Sequence, residues 1–291
     1  MLMLIKRNLK LYFRDKSNIA LTLIGVFVVL ALYLLFLGDM MEQGLYNLYM
    51  ITDTAEGANV RVIVAALFMS GATAITTVST SVGAMGRMVE DKQIILKDMT
   101  VSPVSQNKIT LSYIISSAII SMIMTILFFI IAYIYLSIRG MGFIGFSGIG
   151  MILLTMILTV LCANAMVYFV VMFIKSMAAL SALSAIVGSA IGFIMGAFIF
   201  IGMMPRFVQW IIQLFPLSHS VSMFRYILAD NALAYFLQYD IEMLSQMRYE
   251  YGVIFNFGSF SSNFWMSAGV LVVATIIFYG LSLLMQKKKS K

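Results

Sequence analysis

The sequence predicts an all-α integral membrane protein with six transmembrane helices, an N-terminal amphipathic interfacial helix and re-entrant half-helices before the last span. The first observation is composition: 62% of the 291 residues are hydrophobic and 11% are charged, against about 45–50% and about 25% in soluble domains. The second is the recurrence of uncharged runs near the ~20 residues that a helix needs to cross a bilayer. We therefore treat residues 1–291 as a single transmembrane domain.

Residues 1–18 predict a helix that lies on the membrane surface. Its apolar residues share one helical face: Leu2, Ile5, Leu9, Tyr12 and Phe13. Its basic residues point largely elsewhere: Lys6, Arg7, Lys10 and Arg14. A basic amphipathic helix of this kind binds the anionic lipids of the inner leaflet.

Six apolar runs follow as predicted spans. They cover residues 19–37, 62–85, 110–138, 151–174, 177–202 and 264–285. With the N-terminus inside, the inner segments contain 14 of the 19 basic residues and 4 of the 12 acidic residues. The positive-inside rule therefore places both termini, and the polar loop 86–109, in the cytoplasm. The net charge of +7 follows from this topology and does not indicate nucleic-acid binding.

The region 203–263 is predicted to lie at the outer face, and it contains an apolar stretch that is too short to span. Pro216 divides residues 207–224 into halves of about nine residues, each covering about 14 Å as a helix. Two re-entrant half-helices that pack against protein satisfy this pattern. A surface-lying amphipathic helix is the alternative.

Two predicted spans carry regular polar or small residues. In the second span, hydroxyls recur at i, i+3, i+4 and i+7: Thr73, Thr76, Thr77 and Thr80. In the fifth span, small residues recur every fourth position: Ser184, Gly188, Gly192 and Gly196. Such faces let helices approach closely. Ordinary helix packing and a translocation path or dimer seam both remain open.

The sequence lacks the motifs of an enzyme, so no catalytic, cofactor-binding or metal-binding residue is expected. It contains no G-x-x-x-x-G-K-[ST] phosphate-binding loop, and its one histidine and one cysteine cannot form a metal cluster. His219 lies between two serines without a nucleophile motif, which favours packing or gating over catalysis. No acidic or basic residue lies inside the predicted spans, which suggests that the energy source is elsewhere.

Three segments together resemble the membrane subunits of type-2 ABC exporters, which export drugs, antibiotic peptides and polysaccharides. They are "RNLKLYFRDKSN" before the first span, "EDKQIILKDMTVSPVSQNKITLSY" between the second and third, and "FPLSHSVSMFR" before the last. The resemblance implies a permease that pairs with a second permease subunit, identical or related. Each subunit would dock a separate cytoplasmic ABC ATPase that binds ATP and Mg²⁺. It also implies a bacterial cytoplasmic membrane and a link to multidrug or antibiotic resistance.

The resemblance assigns roles to particular residues. It places ATPase coupling in the loop, at Glu90, Asp91, Lys92, Ile94, Ile95, Lys97, Asp98, Pro103 and Val104. The hydroxyl and small-residue faces would line the path or dimer seam, and Phe215, Pro216 and His219 would form the outer gate. In the loop, isoleucines can bury against a partner while charges at the rim set its orientation. A solvated loop that only fixes topology, or an acid–base or metal pair at Glu90 and Asp91, are the alternatives.

The sequence thus predicts the permease of an ATP-driven exporter for hydrophobic, amphipathic or peptide-like cargo. A self-sufficient secondary transporter and a non-transporting sensor or immunity protein remain open. The substrate, homodimeric or heterodimeric pairing, and the role of the external segment after Arg225 are not given by the sequence.

Overall fold

A computed structural model describes residues 1–33, 35, 38–49, 54–94, 105–236, 241–258 and 260–289. Within these residues the chain forms α-helices and no strand beyond one isolated bridge between Asn256 and Ser261. The helices are Leu2–Arg14 (α1), Lys16–Leu32 (α2), Gly38–Tyr49 (α3), Thr54–Ile94 (α4), Gln106–Ile138 (α5), Gly145–Val171 (α6), Met177–Ile194 (α7), Arg206–Leu214 (α8), Pro216–Leu228 (α9), Asp230–Phe236 (α10), Ile241–Glu250 (α11) and Phe264–Lys289 (α12). The all-α prediction is confirmed.

Five helices in the described ranges are long and apolar enough to cross a membrane. They are Val60–Lys92, Asn107–Ile138, Gly145–Val171, Met177–Ile194 and Phe264–Gln286. The first predicted span overlaps α2, of which 17 residues are described, and the count of six therefore stays a prediction.

The predicted boundaries differ most from the observed ones in two spans. Helix α4 extends to Ile94, well past the predicted end at residue 85. Helix α7 ends at Ile194, eight residues before the predicted end at residue 202. The cause is Gly196, whose φ of +65° places it in the left-handed conformation that ends helices.

Helix α4 is the centre of the molecule. It packs against α2, α3, α5, α6, α7, α9 and α10. All residues of its most apolar 18-residue window are buried, against 17% for α7 and 22% for α12. Because protein rather than lipid surrounds α4, its many hydroxyls are tolerated at a low mean hydropathy of 1.8.

Helix α1 packs on the bundle through the face that contains Ile5, Asn8 and Tyr12, all buried. It contacts α2, α4 and α5. Lys6 and Lys10 on the opposite side are exposed. Part of the face predicted to meet lipid therefore contacts protein.

Residues 206–228 form two helices that are separated at Phe215. Phe215 is extended, with φ −76° and ψ 118°, and Pro216 is the first residue of α9. Proline suits that position because its missing N–H has no partner in the first helical turn. Helix α9 is almost entirely buried, whereas Phe207, Trp210, Ile211 and Leu214 of α8 are exposed.

Candidate functional site

A charged cluster joins α1, the end of α4 and the start of α5. Arg7 donates two hydrogen bonds to the Asp91 carboxylate, at 2.8 and 3.1 Å. The Tyr113 hydroxyl donates to the same carboxylate, and the Asn8 amide donates to the Ser116 hydroxyl at 3.3 Å. The hydrogen bonds to Asp91 raise the pKa of Arg7 above its usual value.

Arg87 adds a second set of ion pairs at the same end. Its guanidinium contacts Asp15 at 2.9 Å and Glu90 at 2.5 Å. The Glu90 side chain is 35% exposed, whereas that of Asp91 is 9% exposed. The two adjacent carboxylates therefore have different environments: Asp91 is an internal anchor and Glu90 remains accessible.

Four of the nine predicted coupling residues are described by the structure, at or next to this cluster. Glu90, Asp91 and half-buried Lys92 belong to the last turns of α4, and Ile94 is its last residue. The others lie outside the described residues: Ile95, Lys97, Asp98, Pro103 and Val104. Residues 95–104 thus stand in the sequence between a helix anchored by Asp91 and one anchored by Tyr113. Its coupling role stays a prediction.

The predicted hydroxyl stripe lies in the interior of the chain. Thr73, Thr76, Thr77 and Thr80 have no exposed area, and each donates to a backbone carbonyl three or four residues earlier. Thr77 also pairs with Thr125 of α5 at 2.8 Å. In the described conformation these hydroxyls pack between helices and line no open passage. Their role in a translocation path stays a prediction.

A polar ladder between α4, α5 and α6 extends this contact, and sequence reasoning missed its partner residues. Ser81 of α4 pairs with Ser121 at 2.9 Å and accepts a hydrogen bond from Asn164 of α6 at 3.2 Å. A signal was present, because Ser117, Ser121 and Thr125 recur every fourth residue on α5.

The four small residues of the fifth predicted span do not share one environment. Ser184 is exposed and donates to its own helix, to the Leu180 carbonyl at 3.0 Å. A Cβ on Gly188 would meet no atom within 4 Å, whereas one on Gly192 would lie 2.2 Å from the Phe198 ring. Gly196 lies past the end of α7. Only the first two positions are open to a partner, and their place at a dimer seam stays a prediction.

Three side chains of α9 hold the turn segment 251–255, which follows α11. His219 packs edge-on against the Phe255 ring, Ser222 donates to the Val253 carbonyl at 2.6 Å, and Arg225 donates to the Tyr251 carbonyl at 2.8 Å. The three side chains are three residues apart on α9, and the segment residues that they contact are two residues apart. The sequence analysis named only the first of these side chains, although the i, i+3, i+6 spacing was visible.

Both nitrogens of His219 have partners. Nε2 lies 3.1 Å from the Gln213 carbonyl, which only accepts, so Nε2 carries the proton. Nδ1 then accepts from the Ser267 hydroxyl at 3.1 Å. This buried imidazole therefore links α8, α9 and α12 as a structural group. A gating role for it, with Phe215 and Pro216, stays a prediction.

Arg225 donates in addition to the carbonyls of Gly196 and Ala197, both at 2.9 Å. It therefore connects α9 with the chain that leaves α7. The Asp230–Arg248 pair, at 2.6 and 2.8 Å, fixes α11 against α10 nearby. Asp230 and Arg248 were not predicted as a pair from the sequence, because isolated charges in an external segment give no spacing signal.

The five long apolar helices of the described residues are typical of a multi-pass membrane protein. The family model described as ABC-2 type transporter matches residues 1–229. The chain belongs to the ABC-2 type transporter family. Within this family it is the permease component of an ABC transporter and a multi-pass membrane protein, not the ATPase itself.

Neither the curated proteins nor the solved structures compared with this ABC-2 permease gave a match. The matched range contains Arg225 and ends before α10. The segment 251–255 and the last membrane helix therefore lie outside it.

Two apolar grooves follow the outer surface of α5 and α6 in this permease. One of about 400 Å³ is bounded by Ile114 and Met122 of α5, Leu161 of α6 and Tyr279 of α12. The other, of about 240 Å³, includes Phe129 and Met156. Their linings of branched, aromatic and methionine side chains suit acyl chains or apolar cargo.

Proposed function

We propose that this permease is the membrane subunit of an ATP-driven exporter, with a separate cytoplasmic ATPase as its motor. The observation that carries the proposal is that the helices on both sides of residues 95–104 are anchored to α1: Asp91 of α4 accepts from Arg7, and Ser116 of α5 accepts from Asn8. A partner that moves this loop would move α1, α4 and α5 together. Since the sequence has no phosphate-binding loop, ATP and Mg²⁺ would be bound by that partner.

The proposed topology has six spans, with α2 as part of the first and both termini in the cytoplasm. Helix α1 would lie at the inner membrane surface, with exposed Lys6, Lys10 and Arg14 directed to anionic lipid. Helices α8 and α9 would enter from the outer face as the gate. The basic tail, Lys287 to Lys289, is consistent with this orientation.

A second permease subunit would cover α7. This helix has the smallest buried share of the five spans, and the space around Gly188 is open. Export would then require α4 and α7 to rearrange around the seam, exposing part of the hydroxyl ladder. The apolar grooves and the 25 methionines favour hydrophobic, amphipathic or peptide-like cargo.

The test reverses charges in the loop without touching the anchor. In the variant Lys97→Glu/Asp98→Lys, we expect at least a tenfold loss of co-purifying ATPase and of ATP-driven accumulation of a fluorescent amphipathic peptide in inside-out vesicles. The control is Lys16→Glu, an exposed charge at the start of α2 to which no lipid or partner contact is assigned, and this variant should retain both. Accumulation driven by an ion gradient without ATPase would contradict the proposal.

A further inference from the structure

Arg225 is a buried cation for which the proposed transport cycle has no assigned role. Its side chain is almost fully buried, at 2% exposure. In the described part of the chain its hydrogen-bond partners are three backbone carbonyls, those of Tyr251, Gly196 and Ala197. No carboxylate is among those partners. A buried charge is costly unless it is satisfied, so these carbonyls are what make its position tolerable.

The three carbonyls belong to the ends of two helices. Gly196 and Ala197 follow the last residue of α7, and Tyr251 follows the last residue of α11. These carbonyls lie just past the helices, where the chain turns away and leaves them free to accept from a cation. One guanidinium thus joins the C-terminal ends of α7 and α11 to α9, the buried helix of the proposed gate.

Three glycines make room for this junction. A Cβ on Gly252 would lie 2.8 Å from Nη1 of Arg225, and a Cβ on Gly71 of α4 would lie 2.6 Å from the Ala197 carbonyl oxygen. Gly196 and Gly252 both have φ of +65°, which turns the chain so that Arg225 meets carbonyls on either side. A larger residue at any of these positions would disturb the junction.

We propose that Arg225 is a positioning residue that makes α7 and α9 one rigid body, so that the gate moves with the subunit-facing helix. The part of this inference that concerns transport, the movement of the gate, rests on the proposed function. Separating the two helices would leave Nη2 of Arg225 and the carbonyls of Gly196 and Ala197 unpaired away from water. The joint that opens the gate therefore lies elsewhere, at the borders of this rigid body.

The test measures distances between spin labels. Cys162 is the single cysteine and is buried, so its replacement by alanine gives a background for labelled pairs. One pair joins Ile186 of α7 to Leu214, which connects to α9 through Phe215, and another joins Ile186 to Ile131 of α5. All three positions are exposed, at 60%, 69% and 54%.

The first measurement uses the permease alone in lipid nanodiscs. We expect a narrow Ile186–Leu214 distance distribution in the background protein and at least a twofold broader one after Arg225→Met. Arg225→Lys keeps the charge and should remain closer to the background. Arg139→Met is the matched control: it removes a partly buried arginine, paired with Glu42 at 3.4 Å, and should leave this distance unchanged. An unchanged distribution in Arg225→Met overturns the proposal.

If Arg225→Met does not insert into the membrane, a second variant tests the same junction. Gly252→Ala keeps the cation but displaces Nη1, so it should broaden the same distribution. An unchanged distribution there also overturns the proposal.

The second measurement adds the ATPase with and without trapped ATP. We expect the Ile186–Ile131 distance to change while the Ile186–Leu214 distance stays within the background width. If both distances change, the rigid body is disproved and the transport function stands. If neither changes, the proposed function fails, while the first measurement still decides the role of Arg225.

Discussion

At the scale of residues, Asp91 and Glu90 show how two adjacent carboxylates acquire different roles. Asp91 accepts from Arg7 and Tyr113 inside the protein, whereas the partly exposed Glu90 pairs, among the described residues, with Arg87. A charge change at Asp91 therefore alters the anchor of α1 and not only a docking surface. Experiments on coupling must separate these two carboxylates.

We expect Asp91→Asn to lower the free energy of unfolding by about 1–2 kcal/mol. The substitution weakens the hydrogen bonds from the Arg7 guanidinium, and the effect is moderate because the Arg7 side chain is 31% exposed. Glu90→Gln should cost about 0.5 kcal/mol or less, as for exposed ion pairs. The measurement is the thermal unfolding midpoint, followed by the reaction of buried Cys162 with a thiol-reactive dye. Equal shifts for the two variants would contradict the assignment of Asp91 as the anchor.

At the scale of helices, the glycines of the fifth predicted span separate two kinds of requirement. Gly196 needs a left-handed backbone, and a Cβ at this position would lie only 3.0 Å from Cγ2 of Ile212. Gly188 lies within α7 in open space. Substitution by alanine should therefore have opposite effects at the two positions.

Gly196→Ala should destabilise the permease by about 1–2 kcal/mol, the cost of a left-handed non-glycine residue. Gly188→Ala should leave the subunit as stable or more stable, by up to about 1 kcal/mol, because alanine favours the helix. The thermal midpoint of the detergent-solubilised subunit distinguishes the two. Destabilisation of the isolated subunit by Gly188→Ala would show that this position is already packed within the chain.

The long helices could be predicted from the sequence because hydropathy is a local property, and the apolar runs overlap α4, α5, α6, α7 and α12. The end of α7 could not be predicted from the sequence, because it depends on the backbone conformation of Gly196. The partner of Asp91 could not either, because Arg7 lies 84 residues away. The spacing of His219, Ser222 and Arg225 was visible, but the segment they hold has no motif of its own.

At the scale of the whole molecule, the charged anchor and the Arg225 junction lie far apart on α4. Gly71, which lies against the Ala197 carbonyl of the junction, precedes Asp91 by 20 positions. This spacing corresponds to about 30 Å of helix. This separation is the thickness of a bilayer core. The central helix therefore connects the proposed motor-facing end with the proposed gate.

The six-span topology predicts opposite accessibility at the two ends of α5. In a Cys162→Ala background, Asn107→Cys should react with a membrane-impermeant maleimide only in inside-out vesicles, and Gly142→Cys only in intact cells. Both positions are exposed. Reaction of both from the same side would disprove the topology, and labelling in detergent controls for intrinsic reactivity.

The burial of the central part of α4 also has a consequence for how the chain is made. Ribosomes synthesise α4 before α5, α6, α7 and α9, the helices that cover most of it. The mean hydropathy of α4, 1.8, is the lowest of the five spans. Because its affinity for lipid is lower than that of the other spans, we expect α4 to remain at the insertion machinery until α5 has been synthesised. Membrane insertion of this permease would then proceed by helix pairs, with α4 and α5 released together.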